Sequence, residues 1–310
     1  MSKFPAERLS PLTLGTVQIG IPYGKVVHTQ TPGTDTAEAI LDATASAGIA
    51  CIDTAQNYGV AEERIGTWMR RTGAKPLLVS KLPALDVKAT PHITSFVEQS
   101  CKSSLAQLGV TRLDGYLAHQ PADMKVPGFV DALRDCVSSG LVSTYGVSIY
   151  TADEFQEAMQ LPGIGVIQAP VSVFDMRLVR AGLLVQAAKR GITVFARSVF
   201  LQGAVFIDPD KPPRALAAMP TIAQFTGAVR QLRSIAEKAG VPVGALALQT
   251  VLSVPAIAST VVGVNAPGEL SEIAAWATSK IAAEAIEDAK RIGDDLPAEM
   301  IDPRRWPKQT

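Results

Sequence analysis

Cys51-Ile52-Asp53-Thr54-Ala55-Gln56-Asn57-Tyr58-Gly59 is the stretch on which the reading of the whole chain turns. A short apolar run breaks off at a carboxylate, and a phenol follows in the loop, as at the carboxyl end of a buried strand. Two later runs end the same way with different chemistry. Leu77-Leu78-Val79-Ser80-Lys81 finishes on an ammonium, and Tyr116-Leu117-Ala118-His119 on an imidazole. These four groups on successive strand–loop junctions can protonate a carbonyl oxygen while a hydride reaches its carbon. Singly each is weak: an Asp caps helices, a Lys is usually solvated, a loop Tyr packs.

Outward from that stretch, apolar runs alternate with amphipathic segments. The strands are expected at Thr13–Thr16, Ala50–Asp53, Pro76–Lys81, Asp114–His119, Ser143–Ser148, Gly165–Gln168, Thr193–Ala196 and Ser259–Val262. They are rich in Val, Ile and Leu without polar alternation, as parallel strands covered on both faces are. Helical spacing links Ala37, Ile40 and Leu41, with Asp35 a candidate cap, and then Val97, Cys101, Leu105 and Leu108. Further helices are expected over Thr151–Gln160 and Ala223–Ala239, and Gly48, Gly109, Gly140 and Gly191 stand where helices should stop. This alternation predicts an α/β fold, a single (β/α)8 TIM barrel spanning residues 1–310 as one domain. An open doubly wound sheet is the poorer reading, because no strand–GxGxxG–helix unit is present. Two segments break the rhythm. The loop 202–221, with four prolines, reads as a lid or binding loop, and the Pro-rich tail 296–310 as either a loose end or a substrate-covering segment.

Composition narrows the function. Lys+Arg and Asp+Glu both number 29, so nothing steers the chain toward nucleic acid or an anionic membrane. The three cysteines (Cys51, Cys101, Cys136) are far apart, which suits neither a disulfide framework nor zinc. Of the histidines only His119 falls at a strand end, His28 and His92 lying in loops, so no metal is expected. No stretch has the length of a membrane span and the amino terminus has no signal core, which makes the expected location cytoplasmic.

At this point the chain resembles the aldo-keto reductases. The likeness rests on Leu14-Gly15-Thr16, the Asp-Thr-Ala-x-x-Tyr-Gly segment quoted first, Ser80-Lys81, Leu117-Ala118-His119-Gln120, Gly146-Val147-Ser148 and Gln202-Gly203. It implies Tyr58 as general acid, Lys81 and Asp53 as the groups that tune it, and His119 as the residue that orients substrate. Tyr58 is then expected within hydrogen-bond reach of Lys81, whose charge lowers the phenol's pKa.

The resemblance also implies a nicotinamide dinucleotide bound across the barrel mouth. Thr16, Asp53, Ser148, Gln168, Arg197, Ser198, Gln202, Gly263, Glu269 and Glu272 are its candidate contacts. Ile149 and Ile273 stand where the family usually has Asn, and Arg197 where an aromatic residue stacks on the nicotinamide. A guanidinium plane can stack there too, or bind a substrate carboxylate or phosphate. Gly263 and Glu269 occupy positions at which NADP-preferring members carry Lys and Arg, so NAD(H) is expected over NADP(H), favouring the oxidising direction. Val17, Tyr23, Tyr58, His119, Arg197 and Trp306 are the candidate substrate contacts. A sugar or another small carbonyl or alcohol is the expected partner, since segments such as Gly15–Gly24 are similar to a branch associated with sugar metabolism. Rival readings are a cofactor-binding regulatory subunit with slow or no turnover, a metal-dependent hydrolase, and an aldolase using Lys81 as a Schiff base.

Overall fold

A computed structural model describes residues 3–24, 26, 30–88, 90 and 92–307, so His28 and the last three residues lie outside the described residues. Eight parallel strands close into a barrel in chain order. They are β1 (Leu12–Gly15), β2 (Cys51–Asp53), β3 (Leu77–Leu82), β4 (Leu113–Ala118), β5 (Val142–Ser148), β6 (Val166–Pro170), β7 (Thr193–Arg197) and β8 (Ser259–Gly263). The expected strands match to within a residue or two at each end. Every residue of β3 and β5 is buried, because the barrel interior covers one face and the helical ring the other. The register aligns the rim: Gly15 pairs with Asp53 across β1 and β2, and Ser148 with Gln168 across β5 and β6.

The local signals are realised with one correction. The helix Thr34–Ser46 is preceded by Gly33 as its cap, and no side chain caps it; Asp35 sits inside the first turn, where a carboxylate favours the helix dipole. The helix Ala152–Ala158 begins with a full capping box, Thr151 accepting from the Glu154 N–H while the Glu154 carboxylate accepts from that of Thr151.

The floor of the barrel is closed by the amino-terminal segment. Phe4 is buried against Cys51, Leu77, Val79, Leu117, Val166 and Phe195. Its ring meets that of Phe195 edge-on at 5.4 Å. A second apolar core lies outside the barrel, and it resolves both irregular segments. Val205, Ile207, Leu216 and Met219 of the loop 202–221 are buried there, together with Met300, Ile301 and Trp306 of the tail. The loop is therefore a packed structure, of which only the first residues face the barrel mouth. The described part of the tail is folded: a helical turn at Ala298–Ile301 and a tighter one at Pro303–Arg305 lead to Trp306.

Phe4→Ala is expected to cost about 3–5 kcal/mol through the cavity it opens beneath the strands. Denaturant unfolding of the two proteins checks this, and a loss near zero would mean that the floor does not depend on this ring.

Candidate active site

Asp53 and Lys81 form a buried ion pair at the centre of the mouth. The Lys81 ammonium donates to both Asp53 carboxylate oxygens, at 2.7 and 2.6 Å, and to the Thr54 carbonyl at 3.0 Å. Burial pushes the ammonium's pKa down, and the facing carboxylate opposes that shift. Gln168 Nε2 donates to Asp53 Oδ1 at 2.8 Å. Thr16 donates through its hydroxyl and its backbone N–H to the Asp53 carbonyl, each at 3.0 Å. Asp53 is thus gripped from three strands.

Tyr58 is placed by close backbone packing. A Cβ on Gly20 would stand 1.8 Å from the Tyr58 carbonyl oxygen, and one on Gly59 would stand 2.6 Å from the Gly20 carbonyl oxygen. Gly59 also has φ +55, so glycine is required there on two counts. These contacts press the Tyr58 loop onto the loop after β1. The ring then meets His119 edge-on at 5.8 Å, with the Lys81 ammonium 5.4 Å from its centroid.

The expected hydrogen bond from Lys81 to the Tyr58 hydroxyl is not formed among the described residues. All three ammonium protons are committed to Asp53 and Thr54, so Lys81 faces the phenol across its ring. Burial, and then the Asp53 charge, hold the Tyr58 pKa well above that of ordinary tyrosine, with the Arg197 charge pulling it down. Tyr58 is a neutral phenol here. The same commitment argues against Lys81 as a Schiff-base nucleophile, since a protonated, fully hydrogen-bonded amine has no free lone pair. His119 is neutral as well. Burial, then the charges of Lys81 and Arg197, push its imidazole down to about 3.

A cavity of about 870 Å³ opens over these groups. It is lined by Thr16, Val17, Tyr23, Asp53, Tyr58, His119, Ser148, Gln168, Arg197, Ser198, Gln202, Gly263, Glu269 and Glu272, so nearly every expected contact is brought to one surface. Lys81 lies beneath it. Trp306 does not reach it: its indole is buried in the second core and donates to the Glu299 and Met300 carbonyls at 3.1 and 3.2 Å. The tail reaches the rim through Arg304 instead, whose guanidinium sits 3.5 Å from the centre of the Tyr150 ring.

The lining also includes residues that were not among the expected contacts, Gln18, Tyr150, Phe206 and Trp276 among them. Trp276 was findable, because Glu269, Glu272, Ile273 and Trp276 follow the spacing of one helix face. Tyr150 stands just beyond a strand end, where a barrel's functional side chains gather. Nothing local singles out Gln18 or Phe206.

The part of the cavity lined by Gln18, Gly263 and Asn265 fits a polar ligand. The side-chain oxygens of Gln18 and Asn265 are buried there with no hydrogen-bond partner among the described residues. The Gln18 amide lies against Gly263, where a Cβ would come within 2.3 Å of it. Glu269 Oε2 accepts from the Asn265 backbone N–H at 2.8 Å. Three non-glycine residues of the segment after β7, Ser198, Leu201 and Gln202, hold positive φ values of 60, 46 and 53.

A family model described as the Aldo/keto reductase family matches residues 11–294. The chain belongs to the aldo/keto reductase family. The aldo-keto reductase str7 of Strobilurus tenacellus is 27% identical over 83% of this chain and 80% of its own. A D-threo-aldose 1-dehydrogenase from a Pseudomonas species is 24% identical, covering 80% of this chain and 85% of its own. Among solved structures, a glycerol dehydrogenase from Gluconobacter oxydans superposes with a TM-score of 0.74 at 22% identity, covering 95% of this chain and 94% of its own. This aldo-keto reductase is accordingly an NAD(P)(H)-dependent oxidoreductase that interconverts carbonyls and alcohols. Among the described residues no group of three or more His, Cys, Asp or Glu is arranged to hold a metal ion. No single helix among them is long and apolar enough to cross a membrane.

The His119 shift carries a consequence for stability. Unfolded, its imidazole protonates near the ordinary 6.5, whereas in the fold it resists down to about 3. The contribution is fully present above pH 6.5 and is lost as pH falls toward 3, at up to about 1.4 kcal/mol per pH unit. His119→Asn should therefore flatten the fall in unfolding free energy between pH 7 and pH 4. Parallel pH profiles for the two proteins would show that this half-buried imidazole protonates freely.

Proposed function

We propose that this aldo-keto reductase uses Tyr58 as its proton donor and acceptor, His119 to orient the carbonyl, and the Asp53–Lys81 pair to hold the charge around them. The single observation that carries the reading is a neutral, half-buried phenol held edge-on to a neutral imidazole above a buried ion pair. A reduced nicotinamide, held in the cavity, would supply the hydride. As the new C–H bond forms, charge grows on the substrate oxygen, and the Tyr58 hydroxyl gives its proton there, which closes the alcohol. The resulting phenolate is stabilised by the Lys81 and Arg197 charges before it is reprotonated from solvent. In the opposite direction the phenolate takes the proton from the alcohol. A neutral His119 keeps one N–H to donate to the carbonyl oxygen and adds no charge beside the acid.

For the cofactor, Ser148 and Gln168 are proposed at the carboxamide, and the Ser198–Gly203 segment with Gly263 along the middle of the dinucleotide. Gln168 has its amide nitrogen committed to Asp53, which leaves its oxygen for the ligand. NAD(H) is proposed over NADP(H). Arg197 is the one Arg or Lys among the described cavity-lining residues, while Glu269 and Glu272 line the part beside Asn265. A 2′-phosphate there would meet carboxylates with no cation to offset them, whereas a ribose hydroxyl could donate to them. The substrate is proposed as a small polar carbonyl or alcohol, in keeping with the aldose dehydrogenase relative.

Two measurements test this. Tyr58→Phe removes the transferable proton and should lower kcat by roughly 10²-fold or more while dinucleotide affinity stays within a few-fold. Turnover like the wild type's would refute the assigned acid. Titration with NADH and with NADPH should quench tryptophan fluorescence, with NADH binding tighter. Trp68 and Trp306 are buried and Trp276 lines the cavity, so Trp276→Phe should remove most of the quench. Tighter NADPH binding would overturn the preference for NAD(H).

A further inference from the structure

Arg197 is a half-buried cation whose surroundings fix its position without neutralising it. Its Nε donates to Ser148 Oγ at 3.2 Å, its Nη1 to Ser198 Oγ at 3.2 Å and its Nη2 to the Ile149 carbonyl at 2.9 Å. Every one of those acceptors is neutral. No carboxylate among the described residues lies within ion-pair distance of it, although thirteen such contacts involve other side chains.

The guanidinium is also locked in orientation. It lies 4.3 Å from the centre of the Tyr150 ring, and Arg304 lies 3.5 Å from the same centre. Two guanidinium groups that near one ring centre must occupy opposite faces. Their electrostatic situations differ. Arg304 is met by Asp302 through paired bonds, Nε to Oδ1 at 2.9 Å and Nη2 to Oδ2 at 2.7 Å. The tail cation is thereby cancelled, and the cavity cation on the other face is left as the net charge. An Arg has five N–H donors, and three are accounted for. One remaining donor sits on each terminal nitrogen.

We infer that Arg197 is an anion subsite of the catalytic cavity, and that the carbonyl substrate carries a carboxylate of its own that docks on this guanidinium. The inference rests on the cavity being the site of carbonyl chemistry proposed above. A half-buried guanidinium with no counter-charge is costly until an anion joins it, and a planar fork matches the two oxygens of a carboxylate. One cation balances one negative charge, which favours a carboxylate over a doubly charged phosphate. Arg197 also acts electrostatically on Tyr58, Tyr23 and His119, which puts the subsite beside the proposed acid. Arg304 is a positioning residue: it touches no ligand and holds the Tyr150 ring against Arg197.

The test compares para-formylbenzoate with its methyl ester, which is similar in shape, uncharged and intrinsically the more electrophilic aldehyde. With wild-type protein and reduced cofactor, kcat/KM for the acid should exceed that for the ester by about tenfold or more, a preference that shrinks with added salt. Arg197→Met should bring the ratio near unity, and Arg197→Lys should restore part of it. Arg304→Ala should raise KM for the acid more than for the ester, a split that general destabilisation would not produce. A wild-type ratio near unity, with both aldehydes reduced, would overturn the anion subsite and leave the oxidoreductase reading standing. An Arg197→Met variant that keeps the ratio but loses dinucleotide affinity would overturn it in favour of a cofactor contact. Calorimetric titration with benzoate and benzamide gives an answer without turnover: about tenfold tighter benzoate binding supports the subsite, and equal binding overturns it. Should neither aldehyde react while benzoate still binds selectively, the failure belongs to the catalytic reading and not to the anion site.

Discussion

The Asp53–Lys81 ion pair is the constraint to which the rest of the mouth is fitted. Both side chains are almost wholly buried, with a closest contact of 2.6 Å. Stability alone does not explain such a pair, because the cost of removing two charges from water largely offsets their attraction. What it does secure is geometry. Gln168 and Thr16 both bond to Asp53, so β1, β2, β3 and β6 meet at one residue. Losing either partner would strand a charge in the interior, at about 3–5 kcal/mol. The pair also helps to keep Tyr58 neutral. Burial and then Asp53 push the phenol's pKa up, and Lys81, engaged with that carboxylate, is left to act across the ring and not through its hydroxyl. The fixed cation is then in place where a phenolate would need it.

The barrel and the gathering of Asp53, Tyr58, Lys81 and His119 at its mouth were legible because both are written locally. Each strand is a run of Val, Ile and Leu that must be covered on two faces, and each of those four residues ends or follows such a run. Side-chain bonding was not legible in the same way. Thr54 offers its carbonyl to Lys81, and no motif distinguishes that arrangement from one in which the third ammonium proton goes to Tyr58. The placing of Tyr58 depends on two glycines 39 residues apart, Gly20 and Gly59, whose backbones nearly touch. Nothing in either segment names the other as its partner.

The tail is the clearest case of a long-range decision. Trp306 reads equally well as a pocket wall or a core anchor. The core wins because the loop 202–221 and the two outer helices Ile222–Lys238 and Val243–Leu252 leave an apolar surface outside the barrel, and the indole can bury itself there with its N–H satisfied. Anchoring Trp306 then fixes Arg304 two residues earlier, within reach of Tyr150. A residue expected to meet substrate thus acts on the site at one remove, by setting where the tail's charged group lies.

The same second core accounts for the strain beside the cavity. Positive φ values at Ser198, Leu201 and Gln202 each cost of the order of 1–3 kcal/mol, and such residues persist only where their surroundings over-determine them. Leu201, Ala204 and Val205 are buried in the cluster that holds Trp306, Met300 and Ile301. The loop cannot relax without withdrawing those side chains from apolar contact. Its strained path in turn carries Ser198 Oγ to Arg197, and Gln202 to the Tyr23 hydroxyl. Packing energy stored well outside the barrel is in this way spent on the polar geometry of its mouth, and one apolar core ties the loop 202–221 and the tail to the charged centre.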